Sequence, residues 1–248
     1  MNDFINQLHN HRSVRTFTDK KLTQEQLDAI MGAAIQAPNW INGQQVSVVV
    51  VTDKERKRKL AELSGNQKHI DDAAAFLVFC MDYSRAKHIT DLHDKELEVM
   101  ENIEAVLVGS TDVGIALGTA VAAAESMGIG TVPIGSVRRS PAEISELLEL
   151  PELAFPISGL AIGYPADPLP AQSPRIPMEA FYHKETYVQN QQEAVEEMDK
   201  RQQDAIKART GETKAHPWSE RIAAFYSERY KEYGKVTDVL KQNGFDYK

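Results

Sequence analysis

Residues 105–124, AVLVGSTDVGIALGTAVAAA, decide how the chain folds. This is its least charged long segment, and it is long enough to be taken for a membrane span. Asp112, three glycines and the many alanines make it too weakly apolar for that. The segment reads instead as a buried helix over 105–127. Gly109, Ala116 or Gly118, and Ala122 let a neighbouring element approach it closely. Gly128-Ile129-Gly130 stops it. The chain is therefore read as a globular protein packed around this helix.

Apolar runs flank it on both sides. VSVVVV (46–51) is continuous and β-branched, which predicts a buried strand, and AAAFLVFCM (73–81) predicts a second. TVPIGSV (131–137) predicts a third, moved towards an edge by Pro133, and FPISGLAIGY (155–164) a fourth. Helices are expected between them. Residues 2–10 form a short one. Thr23-Gln24-Glu25-Gln26 reads as a capping box ahead of Leu27, Ile30, Met31 and Ala34 at helical spacing, with Pro38 as the stop. Asp53 caps a charged helix, 64–69 is a polar turn, 84–102 is a polar helical segment, and Ser140-Pro141 starts another helix. Some connections are too irregular for a doubly wound sheet. The expected fold is α+β: a mixed, mostly antiparallel sheet flanked by helices.

The character changes at YPADPLPAQSPRIP (164–177), whose five prolines imply an extended surface path. Beyond it come polar helices at 189–208, 217–231 and 235–242. Residues 180–248 carry 12 basic and 12 acidic side chains, so the net charge of −8 comes from 1–179, with 16 against 24. The expected organisation is a core over 1–179 and a helical extension over 180–248, packed on the core or on a partner chain. The acidic balance argues against nucleic acid or an anionic membrane as partner. One cysteine, Cys80, permits no disulfide within the chain and reads as a buried apolar residue. MNDFINQLHN has no apolar core of the signal-peptide type, so a cytoplasmic location is expected.

Few stretches carry chemistry. HRSVRTF (11–17) gathers two arginines, a histidine and a hydroxyl in an acidic protein. Such groups bind phosphate, although a solvated basic turn after a helix has the same composition. Gly128-x-Gly130 with Gly135 does not match the dinucleotide fingerprint, and neither a Walker loop nor G-x-S-x-G occurs. His88, Asp91, His93 and Asp94 lack the spacing that would put two histidines on one helix face, so no metal is expected.

HRSVRTF, APNWINGQQ (37–45), SGNQKH (64–69), VPIGSVRR (132–139) and SPRIP (173–177) occur in the order and rough spacing of the nitroreductase superfamily. The chain resembles most closely the NADPH-dependent branch that binds FMN: the oxygen-insensitive NADPH nitroreductases and the NADPH:flavin oxidoreductases. The resemblance covers nearly the whole chain. It implies that the segment with His11, Arg12, Ser13 and Arg15 holds FMN. His11, Arg12 and Arg175 would grip the phosphate, and Arg15 would lie beside the pyrimidine end of the ring, where a cation stabilises reduced flavin. Gln67 would hydrogen-bond the ring or ribityl chain, and the backbone of Pro133, Ile134, Gly135 and Ser136 would face the ring. Asn39 and Asn42 would add hydrogen bonds. Trp40 would stack near the flavin, line the substrate cleft or anchor a dimer interface. Ser173 stands where relatives often have lysine.

The resemblance further implies an intertwined homodimer with sites at its interface, the 37–45 loop reaching the flavin of the other subunit. The implied reaction is ping-pong: hydride passes from NADPH to flavin N5, then electrons pass to a nitroaromatic, quinone or flavin. Arg209 and Lys214 would meet the NADPH 2′-phosphate. The alternative is a flavin-binding module that senses redox state without turnover.

Overall fold

Thr23 starts its helix as its neighbours predict. Its Oγ1 accepts from the Gln26 amide at 3.2 Å, and Gln26 Oε1 accepts from the Thr23 amide at 3.1 Å. Two amides that the helix itself cannot satisfy are thereby paired. Asp53 caps the next helix by accepting from the Arg56 amide at 2.8 Å.

The computed structural model describes residues 2–212 and 216–247. In chain order its elements are α1 (Asp3–His9), α2 (Gln24–Ile35), β1 (Val46–Val51), α3 (Lys54–Leu63), α4 (Lys68–Asp72), β2 (Ala75–Asp82), α5 (Ser84–Leu92), α6 (Glu104–Ser126), β3 (Gly130–Ile134), α7 (Pro141–Leu147), β4 (Ala154–Gly163), α8 (Met178–Phe181), α9 (Gln192–Thr210), α10 (Trp218–Ala224) and α11 (Val236–Gln242). Short 3-10 turns span Trp40–Asn42, Glu98–Glu101 and Gly135–Arg139.

The four strands form one sheet in the order β1-β2-β4-β3, and every pairing is antiparallel. Every residue of β2 is buried. Its side chains alternate between two apolar layers. Leu77, Phe79 and Met81 join residues of α2 and α6 on one face, while Phe76, Val78 and Cys80 join residues of α3 and α7 on the other. Helices therefore cover both faces. The close approach expected of α6 is made by Gly109, where a Cβ would sit 2.8 Å from Met81 Cβ, and by the buried Ala116, Ala120 and Ala124. Gly118 has nothing near it.

The α+β class and the antiparallel sheet are as expected, and several local readings are corrected. β1 is an edge strand and mostly half-buried, because only β2 pairs with it. The third strand ends at Ile134, where the chain turns into the 3-10 turn Gly135–Arg139. A short helix, Lys68–Asp72, begins within the last two residues of the 64–69 segment read as a turn. The 84–102 segment is helical only to Leu92 and again as the 3-10 turn Glu98–Glu101. The 217–231 helix gives way after Ala224 to a π turn over Phe225–Arg229.

The chain divides into two compact units, Met1–Pro170 with Tyr233–Lys248, and Ala171–Glu232. This division does not fall at 179/180. The last segment returns to the first unit because Val239, Leu240 and Phe245 are buried in its core and the Leu153 amide donates to Asn243 O at 3.1 Å. Within the second unit, Asp199 accepts from the Ser219 amide at 2.8 Å and from its hydroxyl at 2.6 Å, which ties α10 to α9.

Gly159 on β4 faces the fully buried Phe76 ring, and a Cβ there would collide with it. Gly159→Ala is expected to cost about 1–3 kcal/mol of stability. A lowered midpoint in urea denaturation, with an unchanged slope, is the measurement that checks this.

Candidate functional site

The HRSVR segment follows α1 as extended backbone. Ser13 forms a parallel bridge to Thr131, and the Val14 amide donates to Thr131 O at 2.8 Å. Val14 is buried against Gly130, where a Cβ would sit 2.9 Å from the valine carbons. Only glycine admits this approach. With Val14 turned into the core, alternation sends Ser13 and Arg15 to the other side, and Arg15 is exposed. Arg12 Nη1 donates to Asn10 O at 3.0 Å.

His11 Nδ1 lies 2.7 Å from Glu125 Oε1, and the same oxygen accepts from Thr131 Oγ1 at 2.8 Å. Glu125, near the end of α6, thus fixes one imidazole edge while Thr131 fixes the carboxylate. The sequence reading passed over Glu125. Its signal is a carboxylate near the end of a core helix that meets both the start of β3 and the segment bridged to it, which only the packing reveals.

The SGNQKH segment reaches the other end of β3, where the chain leaves the strand. Gln67 Nε2 donates to Ser64 O at 3.1 Å and also to Ser136 Oγ. His69 is half-buried, and its Nε2 is buried with no hydrogen-bond partner among the described residues. Burial holds its pKa below the ordinary value, and the Arg15 guanidinium lowers it further. Arg15, Gln67, His69 and Ser136 therefore form one neighbourhood with the HRSVR segment. Pro133 is exposed on β3, and Gly135 opens the turn that carries Ser136.

The 37–45 loop is placed differently. Asn39 Oδ1 accepts from the Gln44 amide at 3.1 Å, and Asn42 Oδ1 accepts from Gln44 Nε2 at 2.5 Å. Trp40 is 49% exposed, and its amide donates to Asp112 of α6. Asp112 and Glu125 are about 20 Å apart along that helix at 1.5 Å per residue, so one chain does not bring this loop to the HRSVR segment. Beside the loop lies an apolar pocket of about 260 Å³, lined by Ile35, Pro38, Val46, Val48, Asp112 and Ala116.

Arg175 and Arg209 belong to the second unit and are exposed. The Arg175 carbonyl accepts from Arg201 Nη1 at 3.2 Å, and Arg209 lies in the last turn of α9. Lys214 lies outside the described residues. Cys80 is buried, and burial pushes its thiol up to about 12, which removes it as a nucleophile. Among the described residues no three His, Cys, Asp or Glu side chains are grouped as a metal site.

Comparison with known proteins matches residues 8–164 to the model of the "Nitroreductase family" and residues 173–248 to "Nitroreductase family, C-terminal domain". An "FMN reductase [NAD(P)H]" of Bacillus subtilis (strain 168) is 50% identical over 249 residues, covering 99% of this chain and 98% of the relative. A "NADPH-flavin oxidoreductase" of Vibrio harveyi is 37% identical over 222 residues, 90% of each chain. The solved structure of B. megaterium NfrA2 superposes with a TM-score of 0.96 at 44% identity, covering both chains completely.

His69 makes a test of this geometry that needs no ligand. In the unfolded chain its imidazole takes a proton near pH 6.5; in the fold it does so at lower pH. Between those values the unfolded chain binds more protons, so stability falls as pH falls through the window. His69→Gln cannot charge. It is expected to lose less stability than the parent protein between about pH 7 and about pH 5, read from urea denaturation at each pH. Parallel stability curves would show that Arg15 and burial do not act on His69 in this way.

Proposed function

The chain belongs to the nitroreductase family, and from that premise we propose that it is an NADPH-dependent flavin oxidoreductase that binds FMN beside the HRSVR segment. The observation that carries this reading is the convergence of separate segments along β3: Ser13 bridged to Thr131 near its start, Gln67 bonded to Ser136 just past its end, and Arg15 near enough to His69 to lower its pKa. Relatives matched along nearly their whole length and named as FMN and flavin reductases support it.

The residues present fit FMN. Two guanidinium groups, a hydroxyl and an imidazole on one extended segment suit a phosphate and the electron-rich edge of a flavin. Gln67 and Ser136 add neutral hydrogen bonding. His69 Nε2 is a buried nitrogen without a partner among the described residues, beside Arg15. Bound FMN supplies the redox chemistry, taking two electrons from NADPH and giving them to an acceptor in alternating, ping-pong half-reactions.

The protein's own part is binding, orientation and charge. His11, Arg12 and Arg175 hold the phosphate, and Ser13 adds a hydroxyl to the segment that binds the cofactor. Arg15 stands at the pyrimidine edge and favours the reduced form by its charge. Gln67 orients the ring or ribityl chain. Pro133, Ile134, Gly135 and Ser136 present backbone to the ring, and glycine at 135 leaves it room. Arg209 and Lys214 meet the NADPH 2′-phosphate. The acceptors are small oxidised molecules such as nitroaromatics, quinones or free flavin, taken in an open cleft.

The working form is a homodimer, and its site of action is the cytoplasm. Asn39, Trp40 and Asn42 belong to the loop anchored at Asp112, which lies about 20 Å from Glu125 along α6, too far to share a site with HRSVR of the same chain. A second copy would bring them to it. The apolar face that α6 leaves outside supports this association: Leu107 is 56% and Ile115 37% exposed, and both line one depression with the half-exposed Trp40.

Anaerobic protein loaded with FMN is expected to bleach on adding NADPH, and faster than with NADH. Protein that binds FMN without bleaching would make it a redox-sensing module instead, and failure to bind FMN would end the reading. Arg15→Gln is expected to lower the potential of the bound flavin and to slow its reduction by on the order of a hundredfold. Spectroelectrochemistry and stopped-flow absorbance measure the two effects separately.

A further inference from the structure

Asp112 lies in the first half of α6 among apolar residues and is 3% exposed. A buried carboxylate is tolerated only when its oxygens are satisfied. It makes no ion pair among the described residues. Its hydrogen bonds all come from the 37–45 loop: the Trp40 amide donates to both oxygens at 3.2 Å, and Gln45 Nε2 donates to Oδ2 at 2.7 Å. Gln45 is itself 4% exposed. Donation to a charged acceptor makes these bonds stronger than neutral ones.

The loop needs such an anchor. Ile41, Asn42 and Gln44 have φ of 49°, 56° and 56°, in the left-handed region where side chains other than glycine are strained. Bonds within the loop, from Gln44 to Asn39 and Asn42, close it on itself; Arg85 Nη2 donates to Gln44 O at 2.6 Å and the Asp82 amide to Gln45 O at 3.0 Å, which hold its last residues to β2 and α5. The attachment to the rigid core helix runs through Asp112.

We propose that Asp112 is a positioning residue: it holds Asn39, Trp40 and Asn42 in the conformation that meets the cofactor, and it sets FMN affinity through the loop without touching the ligand. This rests on the reading that the loop contacts FMN.

The test removes FMN from the enzyme and titrates it back into variants. Asp112→Asn keeps an oxygen for the Trp40 amide, and Gln45 can turn its own amide to meet the new NH2. It is expected to bind FMN within about threefold of the parent. Asp112→Ala is expected to weaken FMN binding by about tenfold or more. In a Trp218→Phe background Trp40 is the only tryptophan, and acrylamide should quench it more readily in Asp112→Ala than in Asp112→Asn. If the alanine variant does not fold, Gln45→Met decides, with a smaller loss of affinity expected. Lowered thermal stability with unchanged FMN affinity and unchanged Trp40 quenching would overturn the positioning role. An Asn39→Ala/Asn42→Ala variant that binds FMN normally would overturn the loop reading, and with it the link to affinity. Quenching of Trp40 in Asp112→Ala tells the two failures apart.

Discussion

The rest of the structure depends on β2 having no side chain in water. All of Ala75–Asp82 is buried, and its alternation feeds two apolar layers. Such a strand must be paired on both edges and covered on both faces. β1 and β4 supply the pairing, α2 and α6 one cover, α3 and α7 the other. With the centre of the sheet committed to apolar packing, polar chemistry is displaced to its edges and ends. The HRSVR segment, Gln67 and Ser136 meet at such a place, beside the edge strand β3.

The carboxylates of α6 show how an apolar helix accommodates charge. Asp112 and Glu125 are satisfied by the chain segments they hold: the 37–45 loop in one case, His11 and Thr131 in the other. A carboxylate in such a setting costs too much to bury unless its partners are fixed, so each one pins a segment carrying candidate binding groups. The helix thereby connects the two regions of the proposed site although they are about 20 Å apart along its axis.

α6 also has two faces with different fates. Its small residues Gly109, Ala116, Ala120 and Ala124 close on the sheet, while Leu107 and Ile115 on the other side remain in water. A helix apolar all round is ordinarily buried all round. A single copy covers half of it, and the proposed dimer gives the other half its partner.

The sequence by itself determined what depends on local pattern. The capping box at Thr23, the Asp53 cap, the apolar runs of β2 and β4 and the helix over 105–124 were legible because caps and periodicity act between near neighbours. The order of five segments was enough to point to the family. What only the tertiary structure decided depends on contacts between residues far apart in the chain. VSVVVV looks like a central strand but lies at an edge, because strand order is set by how the sheet is covered and not by β-propensity. The third strand stops at Ile134, where the chain turns towards Gln67. Asp112 and Glu125 are ordinary acidic residues in the sequence. Their roles come from burial and from partners 67 and 114 positions away, and no local pattern encodes either.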